Sequence, residues 1–288
     1  MGDNAGCVHE PRVTWTPTPL ARASLWLHKA AIPMLALVPD AWPYVLGGLA
    51  ANHAVLAVGM HPRSQIAGPS LVRLPGPGVA LTFDDGPDPA LTPHVLDVLD
   101  AHGAQASFFC IGNRAAAHPA LVREIVRRGH RVENHTWSHP YGFAAYTPGP
   151  MRREVLRAQV VLSDIAGVPP VWFRAPMGLR SPALDPILAG GGLRHAAWTR
   201  RAYDWSCRDP AVVARRLTAG LAPGDVLLLH DGNSARDGRG RPVVLSALPA
   251  ILAAITALCE GAVALPAAAR PATADAAACP PSAARAST

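Results

Sequence analysis

Between Val79 and Leu258, short apolar runs and helix-spaced segments alternate about six times. The runs at 79–83, 104–110, 129–134, 171–174, 193–198 and 225–230 have the length and branched or aromatic content of strands. Between them, 92–102, 115–128, 149–165, 182–189, 210–219 and 243–258 read as helices, with apolar residues spaced as in Val95, Leu96, Val98 and Leu99. A strand followed each time by a helix has no tight hairpin available, so it returns to pair in parallel. Both faces of such a sheet are then covered. The alternation predicts an α/β fold, either a barrel or a doubly wound sheet.

The segment ahead of this body has a different texture. Residues 21–60 carry only Arg22, Lys29 and Asp40 as charges, and Ala41–Met60 carries none. Twenty residues of helix reach about 30 Å, one hydrocarbon thickness. Trp42 and Tyr44 stand at one end of the run, where interfacial aromatics belong. Ala23–Val38 is a shorter, weaker candidate that holds His28 and Lys29, with Pro39-Asp40 as a turn between the two. Residues 1–61 are therefore expected to be a membrane anchor of one or two helices, contacting the bilayer through 23–60. A single span leaves Arg12, Arg22 and Lys29 before it and Arg63 and Arg73 after it, which favours the N-terminus inside and the remainder outside; a hairpin puts all five on one side, then cytoplasmic. The setting expected is a bacterial inner membrane, with a periplasmic body on the single-span reading.

Residues 62–78, rich in proline and glycine, read as a linker, 79–260 as the folded domain and 261–288 as an Ala/Pro-rich disordered tail. Composition narrows the function. Only 16% of residues are charged against 50% hydrophobic, and the net +6 comes from scattered arginines beside the single Lys29. With 6% aromatics and no basic run, nucleic-acid binding is not expected. The five cysteines, Cys7, Cys110, Cys207, Cys259 and Cys279, show no Cys-x-x-Cys spacing, so neither a disulfide framework nor a thiolate zinc site is expected.

Polar signals gather at the C-terminal ends of the expected strands, the edge where parallel α/β folds bind ligands. Leu81-Thr-Phe-Asp-Asp-Gly-Pro87 sets two carboxylates at the end of an apolar run. Alternating side-chain directions suggest different tasks for Asp84 and Asp85, one on a metal and one as a base. In Glu133-Asn-His-Thr-Trp-Ser-His139, one helical turn would place His135 and His139 on one face. With one carboxylate they would leave open positions on a divalent ion. Phe173-Arg-Ala-Pro-Met-Gly178 offers Arg174 at a strand end, where a guanidinium holds a carboxylate ionised. Tyr203-Asp-Trp205 and Val226-Leu-Leu-Leu-His-Asp-Gly232 offer Asp204 as a partner for His230.

In this order the five motifs resemble the polysaccharide deacetylase family, the NodB-homology carbohydrate esterases (family 4), over about Val79–Leu258. The resemblance implies a distorted, incomplete (β/α) barrel of about seven strands. It implies a hydrolase that removes N-acetyl groups from 2-acetamido sugars with one divalent metal ion, zinc first, cobalt or nickel as alternatives. By position, Asp84 matches the general base, Asp85, His135 and His139 the metal ligands, and Arg174 the residue that holds the base. His230 matches the general acid and Asp204 its partner. Trp205 and Leu228 match the groove wall and acetyl-methyl pocket, and the Met177 N–H matches the oxyanion donor. Two departures bear on the substrate. Arg201 stands where many members have a second Asp before the Asp-Trp, and Met177 replaces a frequent aromatic. Arg200 and Arg201 also make this loop unusually basic, as an anionic or lipid-phosphate-linked glycan would require. The expected substrate is a cell-envelope glycan. Alternatives are a deformylase or deacetylase of a lipid-linked amino sugar, or an inactive carbohydrate-binding homologue.

Overall fold

The computed structural model describes residues 15–259 and 261–267. Cys7, Arg12, Cys279 and most of the expected tail lie outside them. At the N-terminus, α1 (Pro19–Leu37) and α2 (Trp42–Gly59) are joined by a 3-10 turn at Pro39–Ala41. They pack side by side. Asn52 Nδ2 donates to Ser24 Oγ across the pair (3.1 Å), and the His28 and His53 rings meet edge to face at 5.3 Å. Among the described residues one helical stretch, Pro39–Gly59, is long and apolar enough to cross a membrane. Helix α1, which holds Arg22, His28 and Lys29, is less apolar.

The body then runs β1 (Val79–Asp84), α3 (Thr92–Ala101), β2 (Ser107–Cys110), α4 (Gly112–Ala117), α5 (Pro119–Arg127) and β3 (Arg131–Asn134). Next come α6 (Pro148–Ala166), β4 (Trp172–Phe173), α7 (Leu184–Gly190), β5 (Arg194–His195) and β6 (Arg200–Arg201). The chain continues with α8 (Pro210–Thr218), β7 (Val226–His230), α9 (Val243–Leu258) and β8 (Ala262–Val263). The strands lie in the order β5-β4-β3-β2-β1-β7-β6, with β8 added beside β1, and every pair is parallel. This is the incomplete barrel expected, open between β5 and β6. The helix expected at 115–128 is instead α4 and α5, divided where Pro119 begins a new helix after the non-helical His118.

Strand periodicity sorts the two faces. Val79, Leu81 and Phe83 point outward into the core beneath the helices, with Leu96, Leu99, Leu248 and Ile251. Ala80, Thr82 and Asp84 point inward, where Ala80 joins Phe109, Leu228 and Trp198 in the barrel interior. All of β1 is buried.

Residues 62–78 are packed onto the barrel. Leu71 bridges to Ala196 at the open side, its N–H donating to His195 O (3.0 Å) and its carbonyl accepting from Ala197 N (2.8 Å). Arg73 pairs with the buried Asp225 at 2.8 Å. The fully buried Arg180 donates to the carbonyls of Ser64 (3.0 Å) and Gly68 (2.9 Å) and pairs with Asp185 at 2.6 Å. A glycine- and proline-rich stretch leaves its carbonyls free for this, and carbonyls carry no side-chain signature. Packing also continues past residue 260. Strand β8 pairs with β1, and the Leu265 N–H donates to Ser107 Oγ (2.9 Å).

Candidate active site

The ends of β1, β3, β4 and β7 converge on one cavity of about 450 Å³ at the C-terminal edge of the sheet. Asp84 ends β1, and Asp85 follows it in the left-handed region (φ 73°). Because of that turn the two carboxylates do not diverge as strand alternation suggests. Both face the cavity, with Asp84 Oδ2 at 4.0 Å and Asp85 Oδ1 at 3.4 Å from His135 Nε2. Left-handed backbone costs a non-glycine residue about 1–3 kcal/mol. It recurs here at Thr136 (φ 67°), His139 (53°), Met177 (58°) and Tyr203 (57°). Neighbouring packing must hold these residues in place. Gly86 and Gly232 show how closely: a Cβ on Gly86 would lie 2.1 Å from Asp231 Oδ2, and one on Gly232 2.1 Å from Asp85 O.

His135 and His139 come together differently from the helical turn expected. The segment after β3 is not helical. Asn134 Oδ1 accepts from Thr136 N (3.0 Å), and Thr136 Oγ1 from His139 N (3.0 Å), so the loop folds back through left-handed Thr136 and His139. The rings stand 4.9 Å apart. His135 Nδ1 donates to Arg174 O (2.7 Å), which turns its Nε2 to the cavity. His139 Nε2 lies 3.3 Å from Asp85 Oδ1. One donor atom from each of Asp85, His135 and His139 lies within 4.8 Å of the others, a set that could hold a metal ion. Asp85 Oδ1 is buried yet has no hydrogen-bond partner, which fits such a ligand.

Electrostatics favours the same reading. Burial alone would raise the Asp85 carboxyl, but the attraction of His135, with smaller contributions from His230 and His139, outweighs it and holds the carboxyl below the usual carboxylate range. Burial and neighbouring His135 push His139 down to about 4, so it is a neutral donor near pH 7.

Arg174 fills the barrel interior. It donates to Asp84 Oδ1 (2.6 Å), Thr82 Oγ1 (2.9 Å) and Ala197 O (2.9 Å), with its guanidinium 4.0 Å over Phe109. On the opposite side, the buried Asp204 grips His230 twice, at the ring Nδ1 (2.8 Å) and the backbone N–H (2.8 Å). Burial would lower that imidazole, but the Asp204 carboxylate wins and pushes it up to about 9. Leu228 is buried at the cavity floor, while Met177 and Trp205 are about half exposed on its rim. The structure thus brings together every residue that the motifs singled out.

Others were not foreseen. Arg114 Nη1 donates to Asp85 O (2.7 Å) and Gly232 O (3.0 Å), tying the β1 and β7 loops together. Asp231, fully buried, accepts from Thr92 Oγ1 (2.7 Å) and is raised to about 7 by burial. Trp198 and Tyr141 complete the wall. Only Asp231 lay inside a recognised motif.

A family model described as polysaccharide deacetylase matches residues 72–195. A chitooligosaccharide deacetylase of Sinorhizobium fredii is 40% identical over 157 residues, which span 54% of this chain and 73% of that protein. The chain belongs to the polysaccharide deacetylase family. It is therefore a member of a group of hydrolases that act on non-peptide carbon–nitrogen bonds. Among other family members, a peptidoglycan-N-acetylglucosamine deacetylase of Listeria monocytogenes is 33% identical over 53% of this chain and 32% of its own length. A family 4 carbohydrate esterase from Streptomyces lividans, solved with acetate, superposes with a TM-score of 0.57 at 31% identity, covering 64% of this chain and 90% of that one.

Proposed function

We propose that the chain is a metal-dependent N-deacetylase of 2-acetamido sugars in a cell-envelope glycan, attached to a bacterial inner membrane through residues 23–60. The observation that carries this is the buried, unpartnered Asp85 Oδ1 set against His135 and His139, with Asp84 and His230 on the same cavity. The named relatives act on chitooligosaccharide and peptidoglycan, which supports an acetamido sugar as substrate.

Asp85, His135 and His139 would hold the divalent ion, zinc first among the candidates. When bound, it supplies a water of lowered pKa and polarises the acetyl carbonyl. The remaining work falls to the chain. Asp84, oriented by Arg174, takes the proton of the attacking water. The acetyl carbon becomes tetrahedral, and the Met177 N–H donates to its oxyanion. His230 is protonated below about pH 9, so at neutrality it can give its proton to the sugar nitrogen. The C–N bond breaks, leaving acetate and a free amine. Leu228 and Trp205 would seat the acetyl methyl and the sugar. An inactive homologue is disfavoured because Asp84, Asp85, His135, His139 and His230 are all present and aimed at one cavity.

Chelation of the full chain is expected to abolish acetate release from N-acetylglucosamine oligomers, with zinc, cobalt or nickel restoring it. Turnover that survives complete metal removal would overturn the metal assignment.

A further inference from the structure

The turn that carries Asp84 and Asp85 is fastened at successive backbone groups. Asp84 O accepts from Asp231 N (3.2 Å), Asp85 O from Arg114 Nη1 (2.7 Å) and Gly86 O from Ile111 N (2.8 Å). Further along, Asp88 N donates to Thr92 Oγ1 (2.8 Å), and Asp88 O accepts from Thr92 N (2.8 Å). The Thr92 hydroxyl in turn donates to Asp231 Oδ2 (2.7 Å). Thr92 opens α3, Asp231 follows the last residue of β7, and both are fully buried. One hydroxyl therefore joins the turn after β1, the start of α3 and the end of β7.

Asp231 is costly where it stands. Its Oδ1 is buried and has no hydrogen-bond partner. A buried carboxyl with one oxygen unsatisfied destabilises a barrel that an apolar side chain would suit better. Asp231 does not line the reaction cavity, so no substrate group reaches it. Its carboxyl packs instead on the backbone of Gly86, so closely that a Cβ there would overlap both oxygens. Gly86 follows Asp85, whose left-handed backbone (φ 73°) costs about 1–3 kcal/mol and persists only where the surroundings impose it. Arg114 holds the Asp85 carbonyl, and the Asp231 carboxyl stands behind the next residue. The Asp85 carboxylate leaves this turn toward His135 and His139, at 3.4 and 3.3 Å.

We propose that Asp231 is a positioning residue: anchored through Thr92, it fixes the turn at Asp85–Gly86 and so aims the Asp85 carboxylate at the point it shares with His135 and His139. This rests on the deacetylase reading, in which Asp85 ligates the ion. Metal ligands depend on the groups that orient them, and losing such a group commonly costs 10–100-fold in affinity or activity. Asp231 acts at one remove, through the backbone rather than through the ligand side chain.

The test uses the full chain and three readouts. Zinc affinity is measured by competition with a chelator, coordination by the visible spectrum of the cobalt-loaded protein, and turnover as acetate release from an N-acetylglucosamine tetramer at saturating zinc. Thr92→Val removes the hydroxyl at nearly constant shape. It is expected to weaken zinc binding about 10–100-fold, shift the cobalt spectrum and lower kcat about tenfold, with KM within about twofold of wild type. Thr92→Ser should restore all three. Asp231→Ala should match Thr92→Val, and the double variant should be no worse than Asp231→Ala alone. If Asp231→Ala does not fold, the two Thr92 variants carry the test without it. Losses confined to KM, or losses that multiply in the double variant, would overturn the proposal. Zinc affinity and kcat of Thr92→Val within about twofold of an active wild type would reject this inference and leave the deacetylase reading standing. A wild type that binds no zinc or releases no acetate would reject both.

Discussion

Strand β1 and helix α2 are both written in apolar residues, yet they meet opposite environments. Every residue of β1 is buried, including the acid that ends it. In α2 only Gly59 is buried, while Trp42, Tyr44, Leu46, Val55 and Val58 are exposed. An apolar strand covered on both faces finds its non-aqueous solvent within the protein. Helix α2, largely exposed beside α1, is long and apolar enough to cross a membrane, the setting proposed for it. The polar groups differ in the same way. In the barrel, buried charges form pairs such as Arg174–Asp84 and His230–Asp204. The hairpin offers a serine–asparagine hydrogen bond and a histidine ring contact as its internal polar links.

Breaking a charge pair inside the barrel should therefore have a large effect, and the largest lies in the site. His230→Ala is expected to slow amide hydrolysis about 10²–10⁴-fold and to slow hydrolysis of an activated ester much less, because that leaving group needs no proton. Equal losses on both would count against the acid role. Asp204→Asn sharpens the same point through pH. Asp204 raises the imidazole, so its acid form persists up to about pH 9. Without that carboxylate, burial pushes the group down, and the alkaline limb of kcat should move to lower pH. A limb that stays in place would separate it from His230.

A smaller effect is expected where the strap at 62–78 meets the barrel. Arg180→Ala leaves the mostly buried Asp185 without its partner and frees the Ser64 and Gly68 carbonyls. Removing one member of a buried pair costs about 3–5 kcal/mol. Denaturant unfolding should show a loss of that order, and a loss under about 1 kcal/mol would mean that the strap is a passive connector. The smallest effect on the body should come from the hairpin. Leu46→Glu, on an exposed face of α2, should move the chain out of the membrane fraction while shifting barrel stability by no more than about 0.5 kcal/mol. A chain that partitions as before would remove the bilayer from the comparison.

The residues of the site were legible because each motif closes or follows an apolar run, and parallel topology brings those ends to one edge. Strand–helix alternation likewise announced the sheet. Local conformation was harder to read. His-x-x-x-His has helical spacing, but side-chain hydrogen bonds from Asn134 and Thr136 fold it into a loop. Asp84 and Asp85 should diverge on an ideal strand, and the left-handed Asp85 brings them together. Long-range partners left still less trace. Nothing near Arg180 in sequence announces that it will bind carbonyls more than a hundred residues away, or near Arg114 that it will bridge two strand-end loops. Strand β8 is two residues long, too short for a periodic signal.

The central claim is that Asp84 performs chemistry while Asp85, His135 and His139 hold the ion. Metal content and turnover measured together on Asp84→Asn test it most directly. The variant should bind zinc like the wild type, about one ion per chain, and lose acetate release by about 10²–10⁴-fold. Turnover within a few-fold of wild type, with the metal retained, would contradict it.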